Sequence, residues 1–277
     1  MPIINGKKIA SKILAELKKK IAVLPAKPGL AIILIGDDPG SHVYVSLKEE
    51  AAKEVSIYFE KYVFEATVNE QEILALIKRL NLNKAIHGIV VQFPLPRGFK
   101  KENIISAISV VKDVDGFHPE NIEALLAGRP CIVPGLTRGI IQLIESTGEP
   151  LAGKKVVVMA NSKIFSESLG YLLQQNGVET KACNPKEISC KNLAKEADIL
   201  VVAIGQPKLI TSEMIKEGAI VIDVGYNRVE GQAVGDVDFG SVKEKAGWIT
   251  PVPGGVGPMT VAMLLSNVLR AYEIQKH

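Results

Sequence analysis

Aromatic residues fill only 5% of the 277 positions, too few rings for the stacking platforms that hold unpaired bases. Neither sign of charge is in excess. Lys plus Arg number 33 and Asp plus Glu 30, a formal net charge of +3, so neither nucleic acid nor an anionic membrane is the expected partner. Cysteine is rare: Cys131, Cys183 and Cys190 are odd in number and lack CxxC spacing, which argues against a disulfide framework or zinc knuckle and for a reducing compartment. Cys183 and Cys190, flanking a loop, read as ordinary small residues. The histidines His42, His87, His118 and His277 show no metal-ligand spacing, so no metal is expected. Long apolar runs are also missing. The stretch from Leu30 to Ile35 falls far short of the roughly 20 residues that span a bilayer. The opening Met-Pro-Ile-Ile-Asn-Gly-Lys-Lys lacks the pattern of an export signal, and a cytoplasmic location is expected.

What is present is an ordinary globular composition, 47% apolar and 23% charged, with a length that allows two domains. Short β-rich runs alternate with amphipathic stretches: a helix from Gly6 to about Ala22, strands at 30–35, 57–63 and 87–92, and helices at 41–54 and 69–80. That alternation marks βαβ units around a buried parallel sheet. After a break around Lys112-Asp113-Val114-Asp115-Gly116 come two helical stretches. A second series follows, with strands at 156–159, 178–183, 198–203 and 219–223 and helices at 164–176, 190–196 and 211–216. The expected fold is α/β in two domains. Residues 1–117 form an N-terminal α/β domain and 118–277 a Rossmann-type, doubly wound parallel sheet, with a last helix at 259–275 able to fold back on the first domain.

Four strings can carry chemistry. In Tyr44-Val45-Ser46-Leu47-Lys48 a spacing of four puts a phenol and an amine on one helix face, a ligand platform with an acid/base or simply a surface pair. Gln92 ends the run Gly88-Ile89-Val90-Val91, where open α/β sheets bind ligands, and either lines a pocket or bonds loop backbone. Asp113 and Asp115 precede Gly116 without a third oxygen ligand at metal spacing, so the segment is an Asx-capped turn or directs one Asp into a cleft. The segment 249–260, Ile-Thr-Pro-Val-Pro-Gly-Gly-Val-Gly-Pro-Met-Thr, is a rigid loop with exposed N–H groups, suited to a flat or anionic ligand.

Taken with GDDPGSHVYVSLK at 36–48, VVQFPLP at 90–96, KDVDGFHPEN at 112–121, VAIGQP at 202–207, IDVGYNR at 222–228 and VGDVDF at 234–239, these strings closely resemble the bifunctional methylenetetrahydrofolate dehydrogenase/methenyltetrahydrofolate cyclohydrolase family. The resemblance covers nearly the whole chain. It implies one-carbon folate metabolism serving purine biosynthesis, a homodimer, a folate cleft between two domains, and NADP, or NAD, on the second. It places the catalytic Lys on Lys48, the substrate-stacking Tyr on Tyr44, the Lys-tuning Gln on Gln92 and the pterin-binding Asp on Asp115, with Gly255 and Pro258 at the substrate. Ala160, Asn161, Ser162, Gly205 and Tyr226 fall at the cofactor.

The second domain departs from the family pattern. Where the family has G-R-S-x-x-V-G-x-P, this chain has Ala160-Asn161-Ser162-Lys163-Ile164-Phe165-Ser166-Glu167-Ser168, and where it has HSxT this chain has Asn184-Pro185-Lys186-Glu187. A methyl at Ala160, a Cβ at Ser166 and the charges of Glu167 and Glu187 are expected to impair dinucleotide binding. Lys163, Lys186 and the turns Gly205-Gln206-Pro207 and Gly225-Tyr226-Asn227 could compensate. Two alternatives follow from the departures: a cyclohydrolase with a vestigial cofactor site, and a noncatalytic folate-binding protein, which the intact Tyr44, Lys48, Gln92 and Asp115 disfavour.

Overall fold

The computed structural model describes residues 2–276, apart from the side chain of Ile188, so His277 lies outside the described residues. The chain divides into two compact units, one of residues 11–135 and 261–277, the other of residues 1–10 and 136–260. The expected break at 117/118 therefore moves. Residues 118–135 stay with the first unit, partly because Asn121 binds the Asp113 carboxylate and the Val110 carbonyl.

In chain order, α1 (Gly6–Ala22) leads to β1 (Gly29–Ile35), α2 (Pro39–Glu54), β2 (Tyr58–Phe64), α3 (Glu70–Leu82), β3 (Gly88–Val91), α4 (Lys101–Ala107) and α5 (Pro119–Leu126). The three strands are parallel in the order β2-β1-β3. Every residue of the central β1 is buried, and its side chains sort by parity. Leu30, Ile32 and Leu34 join a core with Leu264, Leu265, Val268, Leu269 and Tyr272. Ala31, Ile33 and Ile35 join another with Ile73, Ile77 and Leu80 of α3. A strand covered on both faces has no polar side, which is why this run reads as unbroken apolar sequence.

The second unit contains α6 (Gly135–Glu145) from Leu136 onward, then β4 (Lys155–Ala160), α7 (Lys163–Gln174), β5 (Glu179–Cys183), α8 (Ile188–Glu196), β6 (Ile199–Ala203), β7 (Ile220–Asp223), the hairpin β8 (Asn227–Val229) and β9 (Gln232–Val234), α9 (Phe239–Val242) and β10 (Trp248–Ile249). Its sheet is parallel in the order β10-β7-β6-β4-β5. From β4 the chain winds one way to β5 and then returns to β6 on the other side of β4, so the order reverses between β4 and β6. The last helix, α10 (Val256–Lys276), begins earlier than expected, and its residues from Val261 belong with the first unit. There Asn267 Nδ2 donates to the carbonyls of Val114 and Val133.

Two expectations are corrected. The helix expected at 211–216 is one 3-10 turn, Ser212–Met214, because Ile210 and Ile215 on either side are both buried and leave room for a single turn. Cys183 and Cys190 are joined in a disulfide, with Cα atoms 5.4 Å apart across the end of β5 and the start of α8. Spacing along the chain does not reveal that proximity, and the bond removes cysteine usage as an argument for a reducing compartment. Among the described residues no helix is long and apolar enough to cross a membrane.

Candidate functional site

Helix α2 starts sharply. Asp38 accepts a hydrogen bond from Ser41 N at 2.7 Å, and Pro39 fills the first turn, where its missing N–H costs nothing. Starting there places Ser41, Val45, Lys48 and Ala52 on one helical row, three or four residues apart, and Ser41, Val45 and Ala52 are buried. Lys48 thus lies on the inward face although it is charged. Burial lowers its amine pKa below the ordinary lysine value, opposed by the charge of Asp115. Tyr44, half-buried, precedes it by one turn of the same helix.

Gln92 continues the ladder past β3, its N–H donating to Ile33 O at 2.8 Å. The loop-backbone reading of this residue is met. Its Nε2 donates to Phe93 O at 2.7 Å, and with the amide so oriented its Oε1 accepts from Lys48 Nζ at 2.8 Å. A neutral acceptor fixes the amine without adding a charge that would hold its proton.

Of the two carboxylates before Gly116, one takes the expected turn-capping role. Asp113 is buried and accepts from Gly116 N, His118 N and Asn121 Nδ2 at 3.1, 2.7 and 3.0 Å, so it is the acceptor that closes the turn. Gly116 has a φ of +80°, and a Cβ there would meet Pro134 N at 2.6 Å, so only glycine allows this turn to lie against the 133–134 backbone. Asp115 is left to face Lys48 electrostatically. Burial raises its pKa and the Asp113 charge raises it further, while Lys48 pulls it down. Lys48, Gln92 and Asp115 thus form one cluster, from α2, the end of β3 and the turn before α5, in which burial lowers the amine's pKa and a carboxylate acts on its charge. Gly255 and Pro258 belong to the other unit, at the start of α10.

In the second unit the carboxyl ends of β4 and β6 meet at Ala160 and Ala203, which are register partners. Asn161 ties the two ends together, its N–H donating to Ala203 O at 3.3 Å and its Nδ2 to Ile204 O at 2.6 Å. Ser162 caps α7 by accepting from Phe165 N at 3.3 Å. The departures in this loop prove milder than expected. Ser166 and Ser168 turn their hydroxyls back onto carbonyls of their own helix, Ser162 O and Ile164 O, and Glu167 lies 3.5 Å from Lys163, which offsets its charge. A Cβ at Gly205, φ +74°, would meet nothing within 4 Å, so the loop after β6 has an open face. Tyr226 is exposed beyond β7, and Asn184 Oδ1 accepts from Lys186 N at 3.0 Å in a turn that leaves Lys186 exposed. A helix N-terminus, an open glycine face and an exposed lysine at the carboxyl ends of a doubly wound sheet suit a dinucleotide.

Asp223 and Asp236 were missed as candidates, although IDVGYNR and VGDVDF held both. Asp236 is fully buried and accepts from the N–H groups of Ile204, Gly205 and Gln206. The available signal was a charged residue inside an apolar stretch, Ile222-Asp223-Val224, at a strand's carboxyl end. Among the described residues no cluster of His, Cys, Asp or Glu could hold a metal.

Residues 4–115 match the family profile described as "Tetrahydrofolate dehydrogenase/cyclohydrolase, catalytic domain", and residues 134–276 the profile described as "Tetrahydrofolate dehydrogenase/cyclohydrolase, NAD(P)-binding domain". Bifunctional protein FolD 2 of Geobacter metallireducens is 46% identical over 273 residues, which cover 97% of this chain and 96% of that protein. The crystal structure of the bifunctional FolD of Campylobacter jejuni is similar with a TM-score of 0.95 at 40% identity, covering 99% of both chains. That of Trypanosoma brucei FolD, complexed with NADP cofactor and inhibitor, is similar with a TM-score of 0.94 at 35% identity, covering 100% of both.

Proposed function

The chain belongs to the tetrahydrofolate dehydrogenase/cyclohydrolase family, and on that premise we propose that Lys48 is the proton-transferring residue of a folate site shared by both reactions. The protein oxidises 5,10-methylenetetrahydrofolate and hydrolyses the resulting 5,10-methenyl form to 10-formyltetrahydrofolate, in one-carbon metabolism. The observation that carries the assignment to Lys48 is its 2.8 Å bond to Gln92 Oε1 on a buried helix face, with Asp115 acting on its charge.

In the hydrolytic step water adds to the cationic methenyl carbon between N5 and N10. The Lys48 amine, made less basic by burial, takes the proton that water loses, and the positive substrate nearby lowers its proton affinity further. The C–N5 bond then breaks as the added hydroxyl gives up its remaining proton and N5 takes one up, so the carbon stays on N10 as a formyl group and one proton is released overall. Gln92 holds the amine in place throughout. Asp115 accepts hydrogen bonds from the amino-pyrimidine edge of the pterin, and Tyr44 supplies a flat surface for the ring. For Gly255 and Pro258 a substrate-binding role is proposed on the family resemblance alone.

Bound NADP, or NAD, supplies the hydride acceptor for the oxidation. Ala160, Asn161, Ser162, Gly205 and Tyr226 are the residues proposed to hold it, with Lys163 and Lys186 offering positive charge. The vestigial-site and noncatalytic alternatives are not favoured, because full-length relatives are named as bifunctional. A cytoplasmic location, a link to purine biosynthesis and a homodimer complete the proposal on the strength of the family resemblance. The test is to follow methylene- and methenyltetrahydrofolate turnover separately with NADP and with NAD. Turnover of both folates supports the bifunctional reading, whereas hydrolysis without any dinucleotide-dependent oxidation overturns it.

A further inference from the structure

At the carboxyl end of β6, three successive backbone N–H groups converge on one side chain. Asp236 Oδ2 accepts from Ile204 N at 2.6 Å and Gly205 N at 2.8 Å, and Oδ1 accepts from Gln206 N at 2.9 Å and from Asn227 Nδ2 at 2.9 Å. Consecutive amides arranged in this way form a nest that would otherwise attract an external anion. Here the protein fills it with its own carboxylate. A second carboxylate holds the first: Asp223, at the end of β7, accepts from Asp236 N at 3.0 Å, Val237 N at 3.0 Å and Gly225 N at 2.9 Å. Both side chains are almost wholly buried.

The placement of this pair gives it meaning. The loop it shapes, Ile204-Gly205-Gln206, follows β6 directly at the reversal of strand order, where open α/β sheets bind ligands. The same loop is bonded from its opposite wall, since Asn161 Nδ2 donates to Ile204 O at 2.6 Å. The chain Asp223, Asp236, Ile204, Asn161 therefore runs unbroken from the end of β7 to the end of β4 beneath the crevice. With its amides turned down to Asp236, the loop leaves the open face of Gly205 to the crevice. The Gly225-Tyr226-Asn227 turn is held by the same two carboxylates, through Gly225 N and Asn227 Nδ2. Burying two carboxylates side by side is unfavourable, and burial together with the Asp236 charge pushes the Asp223 pKa up to about 6. A turn needed only for connection between strands would not require that arrangement.

We infer that Asp236, anchored by Asp223, is a positioning residue for the dinucleotide: it sets the loops after β6 and β7 on which the cofactor is seated, so that oxidation depends on it and hydrolysis does not. The inference rests on the reading of this crevice as the NADP or NAD site. It assigns a role to the two motifs, IDVGYNR and VGDVDF, that the folate site leaves unexplained.

The experiment is calorimetric titration of Asp236→Asn and wild type with NADP and NAD, alongside cyclohydrolase kinetics and thermal melts. An amide keeps the shape but turns a donor toward N–H groups. The dissociation constant is expected to rise about tenfold or more, equivalent to about 1.4 kcal/mol, with KM for the dinucleotide rising in step and cyclohydrolase kcat within twofold. A folded variant that binds the dinucleotide as wild type does overturns the inference, as does a parallel fall of both activities, which marks a merely structural role. If Asp236→Asn does not fold, Asn227→Ala removes one donor to the same carboxylate. A several-fold weaker dinucleotide affinity then supports the inference and an unchanged one overturns it. Wild-type protein that binds neither dinucleotide overturns the underlying reading of the crevice and this inference with it, an outcome distinct from wild-type binding matched by the variants.

Discussion

At the scale of single residues, Lys48 is set apart by its position on a helical row that otherwise carries Ser41, Val45 and Ala52. Lys48→Met keeps the length of the side chain and removes the amine. It should lower cyclohydrolase kcat by about a hundredfold or more with the melting temperature preserved, and turnover within a few-fold of wild type would remove Lys48 from the mechanism. Gln92→Glu is the sharper probe. A carboxylate in place of the Oε1 acceptor holds the proton on Lys48, so the rising limb of the pH profile should move to higher pH by about 1–3 pH units. An unmoved profile would show that Gln92 does not tune the amine. Asp115→Ala should mainly raise KM, since a charge-assisted pair is worth about 1.5–3 kcal/mol. Asp223 works in the opposite sense to most carboxylates. Its folded pKa of about 6 lies above the unfolded value of 3.8, so folding takes up a proton between these values and stability is lost as pH rises through the window. Wild type should therefore lose ground to Asp223→Asn as pH rises from below 3.8 to above 6, by up to about 3 kcal/mol over the whole window. A stability difference independent of pH in paired melts would refute this.

At the scale of elements, what could be read from sequence followed from what each segment buries. The β1 and β4 runs were recognisable because strands covered on both faces admit no polar residue, and α2 was recognisable from Asp38-Pro39 and its spacing. The same kind of reasoning failed at 211–216, where the helical pattern was too short to compete with two buried isoleucines. It also passed over β8 and β9, whose turn at Glu230-Gly231 has positive φ at both residues and whose strands bury little. Of the site, only the family resemblance told Asp115 from Asp113, whereas Tyr44 and Lys48 stood out through helical spacing and Gln92 through its strand-end position. Asp236 did not, because its partners are backbone amides about 30 residues away, which no local pattern records. The Cys183–Cys190 bond was hidden for the same reason. It predicts that denatured, unreduced protein presents one reactive thiol, Cys131, and reduced protein three. Three thiols before reduction would show that the bond does not form. Closing so short a loop should contribute about 2–3 kcal/mol, measured as a lower melting temperature on reduction.

At the scale of the whole molecule, the division into units does not follow the order of the chain. Residues 1–10 group with 136–260, and residues 261–277 group with 11–135. Leu265 of α10 is fully buried in the core that also holds Leu30, Ile32 and Val90, and Leu265→Ala should cost about 2–5 kcal/mol by denaturant unfolding. A fragment ending at residue 117 lacks that helix and is expected to show no cooperative melt; a cooperative one would mean that α10 is dispensable to the fold. The interleaving also bears on how the protein is made. During synthesis the first ten residues emerge early but must wait for partners as distant as Ile249 and Gly254, which bond Ile4 and Lys7. Residues 11–135 wait for residues of α10 that are made more than a hundred positions later. The unit that holds β1 and β3 cannot close until α10 has been made, so these apolar strands stay exposed while residues 136–260 are synthesised, the interval in which they depend most on chaperones.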